Sequence, residues 1–161
     1  MILDSGKRRQ FYDADGNPLG VRDIAEDKGR CDLLPLGVVA ELLCDVILGH
    51  IAEFMHSGDT GCIADAIKHF WNVRYESPEE CILEVSMHYK EGCKKYGERN
   101  WEKGIPCHCY VDSGVRHYLK WLRGDEDERH DRGFVWNMLG LLWTLRHKPE
   151  LNDLPCKEGD I

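Results

Sequence analysis

The sequence predicts an all-α protein, a helical bundle of about five main helices in a single domain over residues 1–161. Three observations predict it. Apolar residues recur at helical spacing over long stretches. Start and stop signals flank those stretches. No strand-like alternation runs beyond a few residues. A hydrophobic content of 42% fits a chain that buries a core rather than a disordered one.

Residues 1–35 read as irregular, with DADGNPLG as a cluster of turn formers. From about 36 to 56 one helix is expected, its stripe formed by Val39, Leu42, Leu43, Val46, Ile47, Ile51 and Phe54. HSGDTG ends it, and Asp59 or Thr60 caps a second helix over about 61–75, with Ile63, Ile67 and Phe70 inside. Ser77-Pro78-Glu79-Glu80 opens a third: Ser as N-cap, Pro at the first helical position, acids in the first turn. It runs to Lys95 or Tyr96, and Gly97 stops it. A loop covers 97–107. The fourth helix, about 108–123, turns Val111, Val115, Tyr118 and Leu122 inward and ends at Gly124. The fifth starts near Asp127 and ends at about His147, before Pro149. Its dense apolar residues make it central. The tail, 148–161, is polar and wraps or frays.

Formal net charge is −8 and no basic block stands out. That balance argues against nucleic acid and anionic membranes as partners, and suits a protein that holds cations. No apolar run follows the basic start MILDSGKRRQ, so no signal peptide is expected. LPLGVVAELLCDVILGHIAEF is interrupted by Glu41, Asp45 and His50, so no membrane span is expected. The eight cysteines are irregularly spaced and read as small buried residues of a reducing cytoplasm. A zinc site on Cys107, His108 and Cys109 is the weaker alternative, because CHC lacks the paired spacing of structural zinc.

Polar residues line up on three helices. Glu84, His88, Glu91 and Lys95 are spaced by four, three and four, on one face of the third helix. Taken alone, a solvated stripe is the favoured explanation of them. Asp112 and Arg116 pair at four residues on the fourth helix, as do Ser113 and His117. In GDEDERHDRGFVWN, Glu128 and Asp131 form an E-x-x-D pair, spaced to share a divalent cation if both are helical. Helix-dipole complementarity favours acids at that end, but Asp125, Glu126, Asp127 and Glu128 exceed what capping needs. Acids converging from three helices repel unless a cation sits among them.

The ordered segments GRCDLLP, YGERNW, DSGVRHYLKWLRGD and ERHDRGFVWN resemble the dATP/dGTP diphosphohydrolase domain of phages and of bacterial, often prophage-derived, genomes. The matching blocks cover about 28–36 and 84–143. The resemblance implies a MazG-like, all-α nucleotide pyrophosphatase of the bacterial cytoplasm, phage or prophage encoded. Such enzymes cut a nucleoside triphosphate to the monophosphate and pyrophosphate with Mg²⁺, or Mn²⁺, on helix carboxylates. The E-x-x-E of MazG-type enzymes is incomplete: His88 stands before Glu91 at that spacing. Residues 44–80 read as a helical insertion.

On this reading the substrate is dGTP or dATP. Metal ligands come from Glu91, Asp112, Asp127, Glu128 and Asp131. Glu91, Asp131 and His130 are the candidate catalytic groups. Lys95, Arg99 and Arg116 meet phosphates. Tyr96, Asn100 and Trp101 receive the base, with Trp101 stacking on it and Asn100 reading its edge; Trp101 plugging the core and Asn100 capping a turn is an equal alternative. Arg30, His117 and Asn137 complete the substrate contacts, although an Arg30–Asp32 ion pair pinning the N-terminal segment is an equal use of Arg30. Two rivals remain: an HD-type triphosphohydrolase built on His130-Asp131 with a later Asp153 or Asp160, and a nucleotide-binding sensor without turnover. Trp71, Trp136 and Trp143 with many leucines suggest a homodimer or tetramer, an expectation that a monomer in light scattering would oppose.

Overall fold

The computed structural model describes residues 8–23 and 27–155. Cys156, Asp160 and the end of the tail lie outside them. Six helices carry the fold: α1 (Leu36–Leu43), α2 (Val46–Ser57), α3 (Thr60–Arg74), α4 (Pro78–Tyr96), α5 (Cys107–Arg123) and α6 (His130–His147). An antiparallel hairpin, β1 (Arg8–Tyr12) with β2 (Pro18–Asp23), precedes them. Helix α6 packs against α3, α4 and α5, which gives it the central position expected. No described helix is long and apolar enough to cross a membrane.

Most helix boundaries follow the capping residues. The Ser77 side chain accepts from the Glu80 N–H at 3.1 Å, with Pro78 opening α4 and Gly97 ending it at φ 92°. Asp59 caps α3 through the Gly61 N–H.

Several expectations need correction. The single helix over 36–56 is two, because Cys44 turns left-handed (φ 50°) and Asp45 caps α2 by accepting from the Leu48 N–H. The other oxygen of Asp45 accepts from the Tyr118 hydroxyl at 2.6 Å, so the break is tied to α5. The turn at 44–45 also swings Leu42, Leu43 and Val46 into solvent, against the expected stripe. Leu122, at the end of α5, is exposed as well. The segment expected to be irregular holds the hairpin: DADGN is its turn and PLG opens β2, with Asp13 accepting from the Asp15 and Asn17 N–H groups. Finally, α6 begins at His130 rather than Asp127, which leaves the acids 125–128 in a loop.

Residues 44–80, read as a helical insertion, form α2, α3 and the entry into α4; α2 packs on α3, and α3 on α6. The three tryptophans that suggested an oligomer are half-buried within the single chain. Trp71 packs on the core, and Trp136 and Trp143 join a cluster of aromatic rings.

The α5–α6 crossing is close. A Cβ built on Gly140 would lie 2.4 Å from Cε1 of Tyr110, a ring with no exposure. Gly140→Ala is therefore expected to destabilise by about 1–3 kcal/mol through overpacking, despite its better helix propensity. Urea denaturation of both proteins checks this.

The C-terminal segment returns to the bundle. After a 3-10 turn at Pro149–Leu151, Asp153 accepts from the His108 N–H at 2.9 Å and pairs with the His108 ring. That carboxylate, helped by the Cys109 sulfur, raises His108 from its ordinary 6.5 to about 10, while Asp153 is lowered. A histidine raised in the folded state stabilises fully below its unfolded value and loses that stabilisation as pH climbs through the folded one. The melting-temperature advantage of the native protein over His108→Asn should thus shrink between pH about 6.5 and about 10.

Candidate functional site

Two neighbouring hollows open where β2, α4, α5 and α6 meet. The first is a cleft of about 500 Å³. Its acids include Asp23, Glu91 and Glu128, and its cations Arg22, Lys28 and Lys95. The second, of about 490 Å³, is aromatic, with Tyr89, Tyr96, Trp101 and Trp136 on its lining. Tyr96 and Trp136 belong to both.

Helix α4 supplies the floor through the spacing noted in the sequence. Glu84, one turn before His88, is drawn away: its carboxylate accepts from Arg132 at 2.5 and 2.8 Å and from Arg129 at 3.1 Å. His88, Glu91 and Lys95 remain on the cleft. Burial pushes the His88 pKa down, against the opposing pull of Glu91 and Glu128, so its ring is neutral at neutral pH. Among the described residues, Glu91 makes no ion pair and no hydrogen bond.

The other acids separate into two sets. Asp112 accepts from the Cys31 N–H at 2.6 Å and from Arg116 at 2.6 Å, while Arg116 also donates to the Gly29 carbonyl. This pair fastens the 3-10 turn Cys31–Leu33 to α5. Arg30 binds Asp32 through two hydrogen bonds of 2.8 and 2.7 Å in the same segment. Asp131 is buried between Arg74 at 2.9 Å and Arg129 at 3.1 Å. Asp112, Arg116, Arg30 and Asp131 are thus committed to partners within the fold. The expected Glu128–Asp131 juxtaposition does not form, because Glu128 precedes the helix and the two carboxylates turn to different neighbours. The same enclosure removes a free His-Asp pair from the HD-type reading, and Asp153 is held by His108.

The loop acids and two histidines form a compact group. Asp127 accepts from His130 Nε2 at 2.7 Å. Nδ1 of His130 lies 2.9 Å from Nδ1 of His117 and 3.9 Å from a Glu128 oxygen. His130 is buried, and His117 lines the cleft in front of it. The His117 ring lies over Gly133, where an added Cβ would come within 2.9 Å of three ring atoms. Burial, then the adjacent His130, pushes His117 down to about 3, so its imidazole is neutral.

The base-binding expectations meet mixed geometry. Asn100 is buried and its amide is spent: Oδ1 accepts from the Val21 N–H at 2.9 Å and Nδ2 donates to the Val21 carbonyl at 2.8 Å. Its amide therefore reads strand β2, not a base edge. Trp101 borders the aromatic hollow and packs edge-on to Trp143 at 5.0 Å. Arg99 pairs with Glu102 and lies 5.2 Å over the Trp101 ring. The Tyr96 hydroxyl donates to Asp23 at 2.7 Å. Asn137 accepts from Arg22 at 2.6 Å and donates to the Gly133 carbonyl at 2.7 Å.

Arg22, Asp23, Lys28, His88 and Trp136 also line the cleft, and the sequence reading did not select them as site residues. Arg22 Nη1, Asp23 Oδ1 and Trp136 Nε1 are buried and, among the described residues, without hydrogen-bond partners. Orphaned buried polar atoms are uncommon and call for an explanation. The overlooked signal for Arg22 and Asp23 was the Asp-Gly-Asn-Pro turn itself, which marks a hairpin and so makes VRD a strand end.

This geometry defines an all-α protein with a charged cleft beside an aromatic hollow. The dATP/dGTP diphosphohydrolase, N-terminal, family matches residues 62–154, more than half of the chain, and the chain belongs to that family. The matched span runs from the first turn of α3 through α6. The family is named for nucleotide hydrolysis. No curated protein and no solved structure matches the chain.

Proposed function

We propose that this protein hydrolyses a purine deoxynucleoside triphosphate, dGTP or dATP, to the monophosphate and pyrophosphate in a metal-dependent reaction. The observation that carries the proposal is the adjacency of the two hollows. One has the mixed charge that a triphosphate and its counter-ions require, and the other has the aromatic lining that a purine favours.

The donor set of the cleft suits Mg²⁺, which prefers oxygen ligands. Glu91 and Glu128 are carboxylates on the cleft that no arginine claims among the described residues, unlike Asp112 and Asp131. They would hold the ion, which when bound offsets phosphate charge and polarises a phosphoryl oxygen. Lys95 and Lys28 balance the remaining charge, and Arg22 offers Nη1, which has no partner among the described residues. A Glu91 oxygen accepts the proton of the attacking water, since His130 is buried behind His117. Tyr96 and Trp136 border both hollows and orient the base relative to the triphosphate.

Incubation with Mg²⁺ and each of the eight common nucleoside triphosphates, followed by chromatography, tests the proposal. Monophosphate and pyrophosphate from a purine deoxynucleotide are expected. Nucleoside with tripolyphosphate would favour the HD-type reaction, and binding without turnover would favour a sensor; either overturns the proposal.

A further inference from the structure

The histidine pair beside the cleft brings two imidazoles and two loop carboxylates into one small group. Asp127, as a carboxylate, can only accept, so the 2.7 Å contact fixes the proton of His130 on Nε2. Nδ1 of His130 then carries a bare lone pair, aimed at Nδ1 of His117 only 2.9 Å away. Two ring nitrogens this close are joined either by an N–H···N hydrogen bond, with the proton on His117, or by a metal ion that displaces that proton. Two ligand nitrogens about 2.0–2.1 Å from one ion stand about 2.8–3.4 Å apart at angles between 90° and tetrahedral. The observed separation lies at the short edge of that range. A third donor is in reach: a Glu128 oxygen lies 3.9 Å from the same His130 nitrogen, on a side chain exposed enough to swing inward. The donor atoms of His117, Glu128 and His130 all fall within 4.8 Å of one another.

The surroundings match those of a metal-bound imidazole. A ligating histidine characteristically donates its second N–H to a carboxylate, which sets the tautomer and orients the ring. Asp127 does this for His130. Gly133 has no side chain where the His117 ring passes, so that ring lies flat against α6 and close to His130.

We propose that His117, His130 and Glu128 bind a divalent first-row transition ion, with Asp127 holding His130 from behind. Imidazole nitrogen favours ions such as Mn²⁺, Co²⁺ and Zn²⁺ over Mg²⁺, which keeps to oxygen. The site adjoins the cleft assigned to substrate and shares Glu128 with it, but does not rest on the hydrolysis reading.

The test is direct binding to the full chain without nucleotide. Co²⁺ titration followed by visible absorption is expected to give one ion per chain that excess Mg²⁺ does not displace. Spin-echo spectra of the Mn²⁺-loaded protein are expected to carry couplings to imidazole nitrogen. His117→Gln should abolish those couplings that arise from its ring, and circular dichroism shows whether it folds. Glu128→Gln and Asp127→Asn alter exposed loop side chains, and each is expected to weaken Co²⁺ binding about 10-fold or more. The proposal is overturned by absence of Co²⁺ binding, by displacement with Mg²⁺, or by unchanged affinity in the loop variants. A thiolate-to-cobalt charge-transfer band would overturn it too, since it would assign the ion to cysteines such as Cys107 and Cys109. Hydrolysis can fail with this binding intact, and binding can fail with hydrolysis intact.

Discussion

Glu91→Gln is expected to lower turnover by about 10²–10⁴-fold while leaving the fold intact. The amide is nearly the same size as the carboxylate but neither holds a hard cation well nor accepts a proton from water. Glu91 sits on the solvent side of α4 and, among the described residues, has no native partner to lose. Exposed substitutions of this kind usually change stability by no more than about 0.5 kcal/mol. Asp131→Asn provides the contrast. It removes the buried counter-charge of Arg74 and Arg129, so its main effect should be on stability. Measuring initial rates by product chromatography and melting temperatures by circular dichroism for both variants separates the two roles. Near-native turnover in Glu91→Gln would remove Glu91 from the reaction.

Asn100→Ala is expected to cost about 2–4 kcal/mol. It deletes two hydrogen bonds and leaves the Val21 N–H and carbonyl without their partners, at about 1–3 kcal/mol for each group left buried. The hairpin can limit the loss by lifting into water, and then Arg22 and Asp23 leave the cleft with it. The expected signature is rapid hydrogen exchange at the Val21 amide together with a raised KM. Asn100→Asp keeps the acceptor and loses the donor, so it should fall between the two. Native exchange rates at Val21 in Asn100→Ala would show that other contacts, such as the 2.7 Å bond from the Gly20 N–H to the Gly104 carbonyl, suffice to hold β2.

Much of the helical framework was legible because its signals are local. Ser77-Pro78-Glu79-Glu80 opens α4 and Gly97 closes it within a residue of expectation, since a cap and a left-handed stop act on the adjacent backbone. The stripe His88, Glu91, Lys95 reached the cleft for the same reason. What failed was non-local. Asp45 looks like one acid inside an apolar helix until Tyr118 on α5 supplies a hydroxyl. Asp112 and Asp131 look like metal ligands until distant segments supply the Cys31 amide and Arg74. The hairpin is short, and its strands RRQFY and PLGVRD lack the alternation that would reveal them. Without it, Arg22 and Asp23 could not be assigned to the cleft. His130 was selected, but its pairing with His117 depends on the approach of α5 to α6 and the bare backbone at Gly133.

The fastening of β2 by Asn100 has a consequence for biosynthesis. Val21 and Asn100 are separated by 79 positions. A growing chain releases the hairpin from the ribosome early and makes its fastener only after α4 is complete. Throughout that interval the Val21 N–H and carbonyl form part of an open strand edge, free to pair with a neighbouring nascent chain. The wall of the cleft bearing Arg22 and Asp23 is therefore translated first and assembled among the last.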